Sequence, residues 1–146
     1  MSKTLLLLFF AFSVAAFGAE RSKEQDNIKC LTQAIYFESR GETLQGKIAV
    51  GNVVLNRYMS GNYRTVCEVI RQRGQYGWAN KPNKVREKNV WVVCERLADR
   101  MIHGEIPDNT HGSTFFKEKT SRKKWSRGLS YTGKIGNHLF FKEPDI

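Results

Sequence analysis

Residues 28–42, Ile28-Lys29-Cys30-Leu31-Thr32-Gln33-Ala34-Ile35-Tyr36-Phe37-Glu38-Ser39-Arg40-Gly41-Glu42, decide how the rest of the chain is read. Ile28, Leu31 and Ile35 recur at three- and four-residue spacing, the period of an amphipathic helix, and the pattern runs on to Glu38 and Glu42. At 100° per residue, Leu31, Ile35, Glu38 and Glu42 fall within about a 60° stripe, so both carboxylates point the same way as the apolar residues. A surface helix would turn its glutamates to the opposite face. Three readings are open: the helix does not run as drawn, the glutamate pairs with Arg40 or Arg57, or it is a functional acid. Burial disfavours a charged carboxylate and raises its pKa, which suits a general acid working near neutral pH.

Upstream, residues 20–27 are polar and charged and read as a short flexible lead-in. Before them come the basic Met1-Ser2-Lys3, the apolar run Leu5 to Phe17, and the small residues Ala16, Gly18 and Ala19. That order is a secretory signal peptide over residues 1–18, with cleavage after Gly18. The apolar run is shorter than the roughly 20 residues a membrane span needs. Residues 19–27 then lead into one domain, 28–146, with no stable membrane insertion after leader removal. An exported protein is expected, in the periplasm, the cell wall or outside the cell.

Downstream, Gly41 and Gly46 bracket a break, and a second helix reads from Lys47 to Met59. Ile48, Leu55 and Met59 share its apolar face, which Asn52 joins and Asn56 borders. A short apolar piece spans Thr65 to Ile70, and Arg73 to Trp78 is a loop rich in glycine and aromatic residues. A third helix reads from Lys84 to His103, with Val90, Cys94, Leu97 and Met101 inward, Val93 and Ala98 flanking, and Gly104 as the cap. Ser113–Phe116 and His138–Phe141 are short, aromatic and β-prone. Helices first and a small antiparallel sheet or hairpin afterwards make an α+β domain.

The 24 basic and 14 acidic residues give a net charge of +10. Removal of Lys3 with the leader leaves +9. Such a charge favours a polyanionic partner, and export makes anionic wall polymers a better match than nucleic acid. The basic run Lys117 to Arg127 contributes most visibly. Cys30, Cys67 and Cys94 allow one disulfide in any of three pairings and leave a thiol over. No cysteines or histidines stand at metal-ligand spacing, so neither a metal nor another cofactor is expected.

Two carboxylates suggest glycoside cleavage, but neighbours on one helix turn cannot flank a bond from opposite sides. Glu38 and Glu42 therefore do not divide the acid and base roles; one is the acid and the other supports it. A single acid needs another nucleophile, either a held water or a hydroxyl of the substrate. Asn56 can position a water or a sugar N-acetyl group, or simply make a structural hydrogen bond. Tyr76 and Trp78 can stack on sugar faces or serve as core aromatics. His138 can donate a hydrogen bond in a cleft or be a satisfied structural histidine.

The stretch Cys30–Glu42 resembles the opening motif of the SleB/CwlJ cell-wall hydrolase family, the spore-cortex-lytic type. The resemblance continues through Gly46–Val50, Val53–Arg57, Thr65–Ile70, Gly74-Gln75-Tyr76, Trp125 and Ile135–Phe141. It implies a lysozyme-like α+β fold and cleavage of the MurNAc-GlcNAc bond of peptidoglycan, and a monomer is expected. It also implies that Glu38 is the single catalytic acid, by hydrolysis or by lytic transglycosylation. Glu42, Asn56, Tyr76, Trp78 and His138 are then candidates for substrate binding or support. The chain departs from the family at Tyr76-Gly77-Trp78, where Phe-Ser-Trp is frequent, and at Ser39, where alanine is usual. Two competing readings are a non-catalytic wall-binding module and an exported basic nuclease, the latter resting on charge alone.

Overall fold

A computed structural model describes residues 3–145, with side chains described from Val14 onward. The leader read over residues 1–18 therefore lies largely outside the described side chains. The first helix, α1 (Lys3–Ser39), is one continuous element of 37 residues. Residues 19–27 lie within it and are helical rather than a flexible lead-in. They contain good helix formers and no glycine or proline, and the helix they belong to is anchored where Asn27 and Ile28 become buried. Among the described residues, no helix is long and apolar enough to cross a membrane.

Helix α2 (Leu44–Arg57) starts at Thr43, whose hydroxyl oxygen accepts the Gly46 N–H at 3.3 Å. It is buried on almost every side, the signature of a helix enclosed by others. A Cβ at Gly51 would come within 2.8 Å of Met101 Cε, so glycine is what lets α2 pack so closely there. Beyond Arg57 the chain widens into a π-type turn, Tyr58–Asn62. This turn breaks the 3.6-residue phase, and Met59, expected on the apolar face, is 69% exposed.

The short apolar piece is a helix, α3 (Val66–Arg71), capped by Thr65. The Asn27 side chain accepts the Val66 N–H at 2.9 Å, and Cys30 is disulfide-bonded to Cys67 across a Cα separation of 5.2 Å. Cys94 remains as a buried thiol. Helix α4 (Lys88–Ile102) begins four residues later than its periodicity suggests. Arg86 and Glu87 donate their backbone N–H groups to Tyr36 Oη at 3.0 and 3.1 Å, which holds them outside the helix. Cys94, Leu97, Ala98 and Met101 face the core, while Val93 lies a quarter-turn away and is exposed.

The C-terminal part is a three-stranded antiparallel sheet of β1 (Phe115–Glu118), β2 (Ser130–Ile135) and β3 (His138–Lys142), in the order β1-β3-β2. The sequence announces β1 and β3 through their aromatic residues. Strand β2 lacks that signal: Ser-Tyr-Thr-Gly-Lys-Ile is mostly polar, and its register shifts between Tyr131 and Gly133. Alternation along β3 sends Phe140 inward onto Ala49 and Val53 of α2. Phe141 points the other way, beneath Trp125. His138 shares the inner face with Phe140, which aims it at the end of α1.

Candidate active site

A cleft of about 420 Å³ separates the last turn of α1, with Glu38, from the ends of β1 and β3, with Glu118 and His138. Glu38 stands on the last turn because Leu31 and Ile35 bury the same stripe of the helix. Its carboxylate accepts a hydrogen bond from Trp78 Nε1 at 2.5 Å. The Trp78 ring lies 5.0 Å from Phe37 and 5.8 Å from Tyr76, which fixes the indole. Burial raises the Glu38 pKa above its ordinary value; the Trp78 hydrogen bond opposes this, and the charge of Glu118 adds to it. Neither arginine neutralises Glu38. Arg40 pairs with Glu87 at 3.6 Å. Arg57 donates to Gln75 and Gln72 at 2.9 and 2.6 Å.

Glu42 is not on the helix. Helix α1 stops at Ser39, and the Glu42 N–H turns back to the Ser39 carbonyl at 2.8 Å. The helical stripe drawn through both glutamates therefore holds for Glu38 alone. Glu42 still reaches the cleft, where its carboxylate accepts the Asn137 N–H at 3.2 Å and so ties the end of α1 to the β2–β3 turn. Gly136 in that turn has φ +57°, and a Cβ there would collide with Glu42 Oε2. The segment is held from below by Lys47. Its buried ammonium donates to the carbonyls of Ser39 and Arg40, both at 3.0 Å, and to that of Glu42. A cation there satisfies carbonyls that a helix end leaves free and offsets the negative end of the dipole.

His138 is 4% exposed and packs edge-to-face with Phe116, ring centroids 5.1 Å apart. Its Nδ1 is closed off from solvent and has no hydrogen-bond partner, so this is not a satisfied structural histidine. Burial lowers its pKa below the ordinary 6.5, with Glu42 and Glu118 pulling the other way.

Two expected site residues lie elsewhere. Asn56 donates to the Ser113 carbonyl at 3.0 Å and to Asp108 Oδ2 at 3.1 Å, fastening α2 to the loop before β1 instead of lining the cleft. Tyr76 is 6% exposed, and burial pushes its phenol up to about 12. A ring so enclosed cannot stack on a sugar; it backs Trp78. Glu118, Lys119 and Asn137 join the cleft without having been singled out from the sequence. Period-two spacing from Phe116 could have marked Glu118 as inward-facing. Lys119 and Asn137 fall within the basic run and the closing motif, neither of which gave them a role in a site.

The profile of the family described as Cell Wall Hydrolase matches residues 41–141. The chain belongs to the cell wall hydrolase family. The match opens at Gly41, just beyond Glu38, and takes in Glu42, Trp78, Glu118 and His138. Among relatives in this family, the spore cortex-lytic enzyme of Bacillus cereus is 30% identical over 122 residues, covering 81% of this chain and 45% of that protein. The spore cortex-lytic enzyme of Bacillus subtilis is 28% identical over 116 residues, covering 79% of this chain and 37% of that protein. The chain thus spans less than half the length of these curated relatives. The structure is similar to the catalytic domain of the Bacillus cereus SleB protein, with a TM-score of 0.64 and 28% identity over 81% of this chain and 91% of that one. It is equally similar to the catalytic domain of the germination-specific lytic transglycosylase SleB from Bacillus anthracis, with a TM-score of 0.63 and 28% identity over 81% of this chain and 95% of that one. The SleB/CwlJ resemblance and the α+β fold read from the sequence both stand.

Proposed function

We propose that this cell wall hydrolase cuts the MurNAc-GlcNAc bond of peptidoglycan glycan strands, outside the cytoplasmic membrane, with Glu38 as its catalytic acid. The observation that carries the reading is a cleft-facing carboxyl that burial keeps protonated to higher pH, held by Trp78 and paired with no arginine. Similarity to catalytic domains of spore cortex-lytic proteins supports the substrate. The leader-like N-terminus and the Cys30–Cys67 disulfide support export, because disulfides persist in oxidising compartments.

In this mechanism Glu38 gives its proton to the glycosidic oxygen as the bond from that oxygen to C1 of muramic acid breaks. The carbon-6 hydroxyl of the same muramic acid then bonds to C1, and its proton passes to the Glu38 carboxylate. The acid is regenerated and a 1,6-anhydro end is left. One carboxyl suffices for both transfers. Glu42 acts as a positioning residue, occupied in holding the β2–β3 turn.

One observation favours a second reading. Glu118 lines the same cleft as Glu38 and its charge acts on that carboxyl. A second carboxylate in such a cleft could activate a water, in which case the products would be reducing sugars. Release of soluble fragments from dye-labelled sacculi by the wild type, Glu38→Gln and Glu118→Gln tests these roles. The proposal expects loss of about 100-fold or more for Glu38→Gln and little change for Glu118→Gln. Equal loss in both would favour hydrolysis by a carboxyl pair. Wall binding without release by the folded wild type would favour a non-catalytic wall-binding module.

A further inference from the structure

His138 is the group in the cleft whose chemistry the reaction above does not use. Its ring packs edge-on against Phe116 and Phe140, with centroids 5.1 and 6.3 Å away. Nδ1 lies on the closed side of the ring with no partner, and His138 lines the cleft, which leaves Nε2 as the nitrogen facing it. A neutral imidazole carries one proton, on either nitrogen. Placing it on Nδ1 would bury an N–H with nothing to receive it, which folded proteins avoid more strictly than an unused acceptor. The proton therefore belongs on Nε2, and the cleft wall presents an uncharged N–H donor. Acidic Glu38, Glu42 and Glu118 share this cleft with basic Arg40 and Lys119, so no one sign of charge dominates it, and an uncharged donor suits an uncharged carbonyl acceptor.

We propose that Nε2–H of His138 is a binding donor for an uncharged carbonyl oxygen of the substrate, the acetamido group of an N-acetylated sugar, and that the buried, unpaired Nδ1 is the cost of fixing that tautomer. This rests on the glycan-cleaving reading above for its substrate class, but its test needs no turnover. Burial works in the same direction by keeping the ring neutral. A purely structural histidine would stabilise the fold and leave ligand choice alone. A donor held against an unsatisfied nitrogen does the reverse, because filling the site with an apolar ring removes a buried unpaired group.

The test measures binding of the N-acetylglucosamine tetramer and of its de-N-acetylated counterpart to full-length protein carrying Glu38→Gln, alone and combined with His138→Phe, His138→Met or His138→Gln. Thermal midpoints are measured beside affinities. Phe and Met have no donor, whereas the Gln amide can reach the place of Nε2. The expected result is that Phe and Met weaken binding of the acetylated tetramer about five- to ten-fold, with no loss of thermal midpoint. The de-N-acetylated tetramer should be unaffected, and Gln should restore most of the difference. Equal binding of the acetylated tetramer by the Phe and Gln variants overturns the proposal. If the Phe variant fails to fold, the Met and Gln variants decide in the same way. Sacculus cleavage by the wild type is a separate assay, so its failure would count against the glycan-cleaving reading and leave the binding result to stand or fall alone.

Discussion

At the scale of the residue, the site depends on how little compensates Glu38. Its carboxyl is buried, receives one hydrogen bond from an uncharged indole, and feels Glu118 instead of an arginine. An unfolded chain ionises this group near the ordinary value of 4.5, and the folded chain ionises it later. The folded state thus holds the proton longer than the unfolded state. Stability associated with Glu38 is intact below 4.5 and is lost as pH rises through the folded pKa. Glu38→Gln should therefore raise the thermal midpoint near neutral pH while abolishing activity, and the gain should disappear in scans below 4.5. A midpoint difference that is constant across pH would mean that the carboxyl is not held protonated by its surroundings. The sequence disclosed this residue because a glutamate in step with Leu31 and Ile35 is chemically out of place. It left Tyr76 and Asn56 open between ligand contact and structural support, because residue type does not say whether a ring or an amide is used inward.

At the scale of the element, the end of α1 is where packing becomes function. A helix leaves its last carbonyls unpaired, and here the ammonium of Lys47 collects those of Ser39, Arg40 and Glu42. That junction sets Glu38 and Glu42 on opposite sides of a helix terminus, one on the helix and one on the turn. Lys47→Met should cost about 2–3 kcal/mol in chemical denaturation, since it strands buried carbonyls. It should also slow wall cleavage by loosening both glutamates. Unchanged stability would show that the carbonyls find other donors. Helices were legible from the sequence wherever one face is apolar. Their ends were less so, because Tyr36 delays α4 and a π-type turn prolongs α2 through long-range or backbone effects that periodicity does not carry. Strand β2 was missed for a related reason: it pairs through its backbone with little apolar alternation.

At the scale of the whole molecule, a helical unit and a three-stranded sheet meet along α2, and the cleft lies where α1 ends against the sheet. The Cys30–Cys67 bond ties α1 to α3 behind it, across a sequence separation of 37. Closing a loop of that size is worth about 3–4 kcal/mol, so Cys30→Ser/Cys67→Ser should lower the thermal midpoint markedly. Burial pushes the Cys94 thiol up to about 11, so it should stay unreactive toward thiol reagents until the chain unfolds. The pairing could not be chosen from spacing, since it depends on how α1 and α3 pack. In the proposed function this cleft cuts glycan strands with Glu38 as the acid. Mass spectrometry of the muropeptides released from purified sacculi by the wild type and by Glu38→Gln tests it most directly. Anhydro-muramic ends are expected from the wild type and none from the variant; equal cleavage by both proteins would rule out Glu38 as the acid.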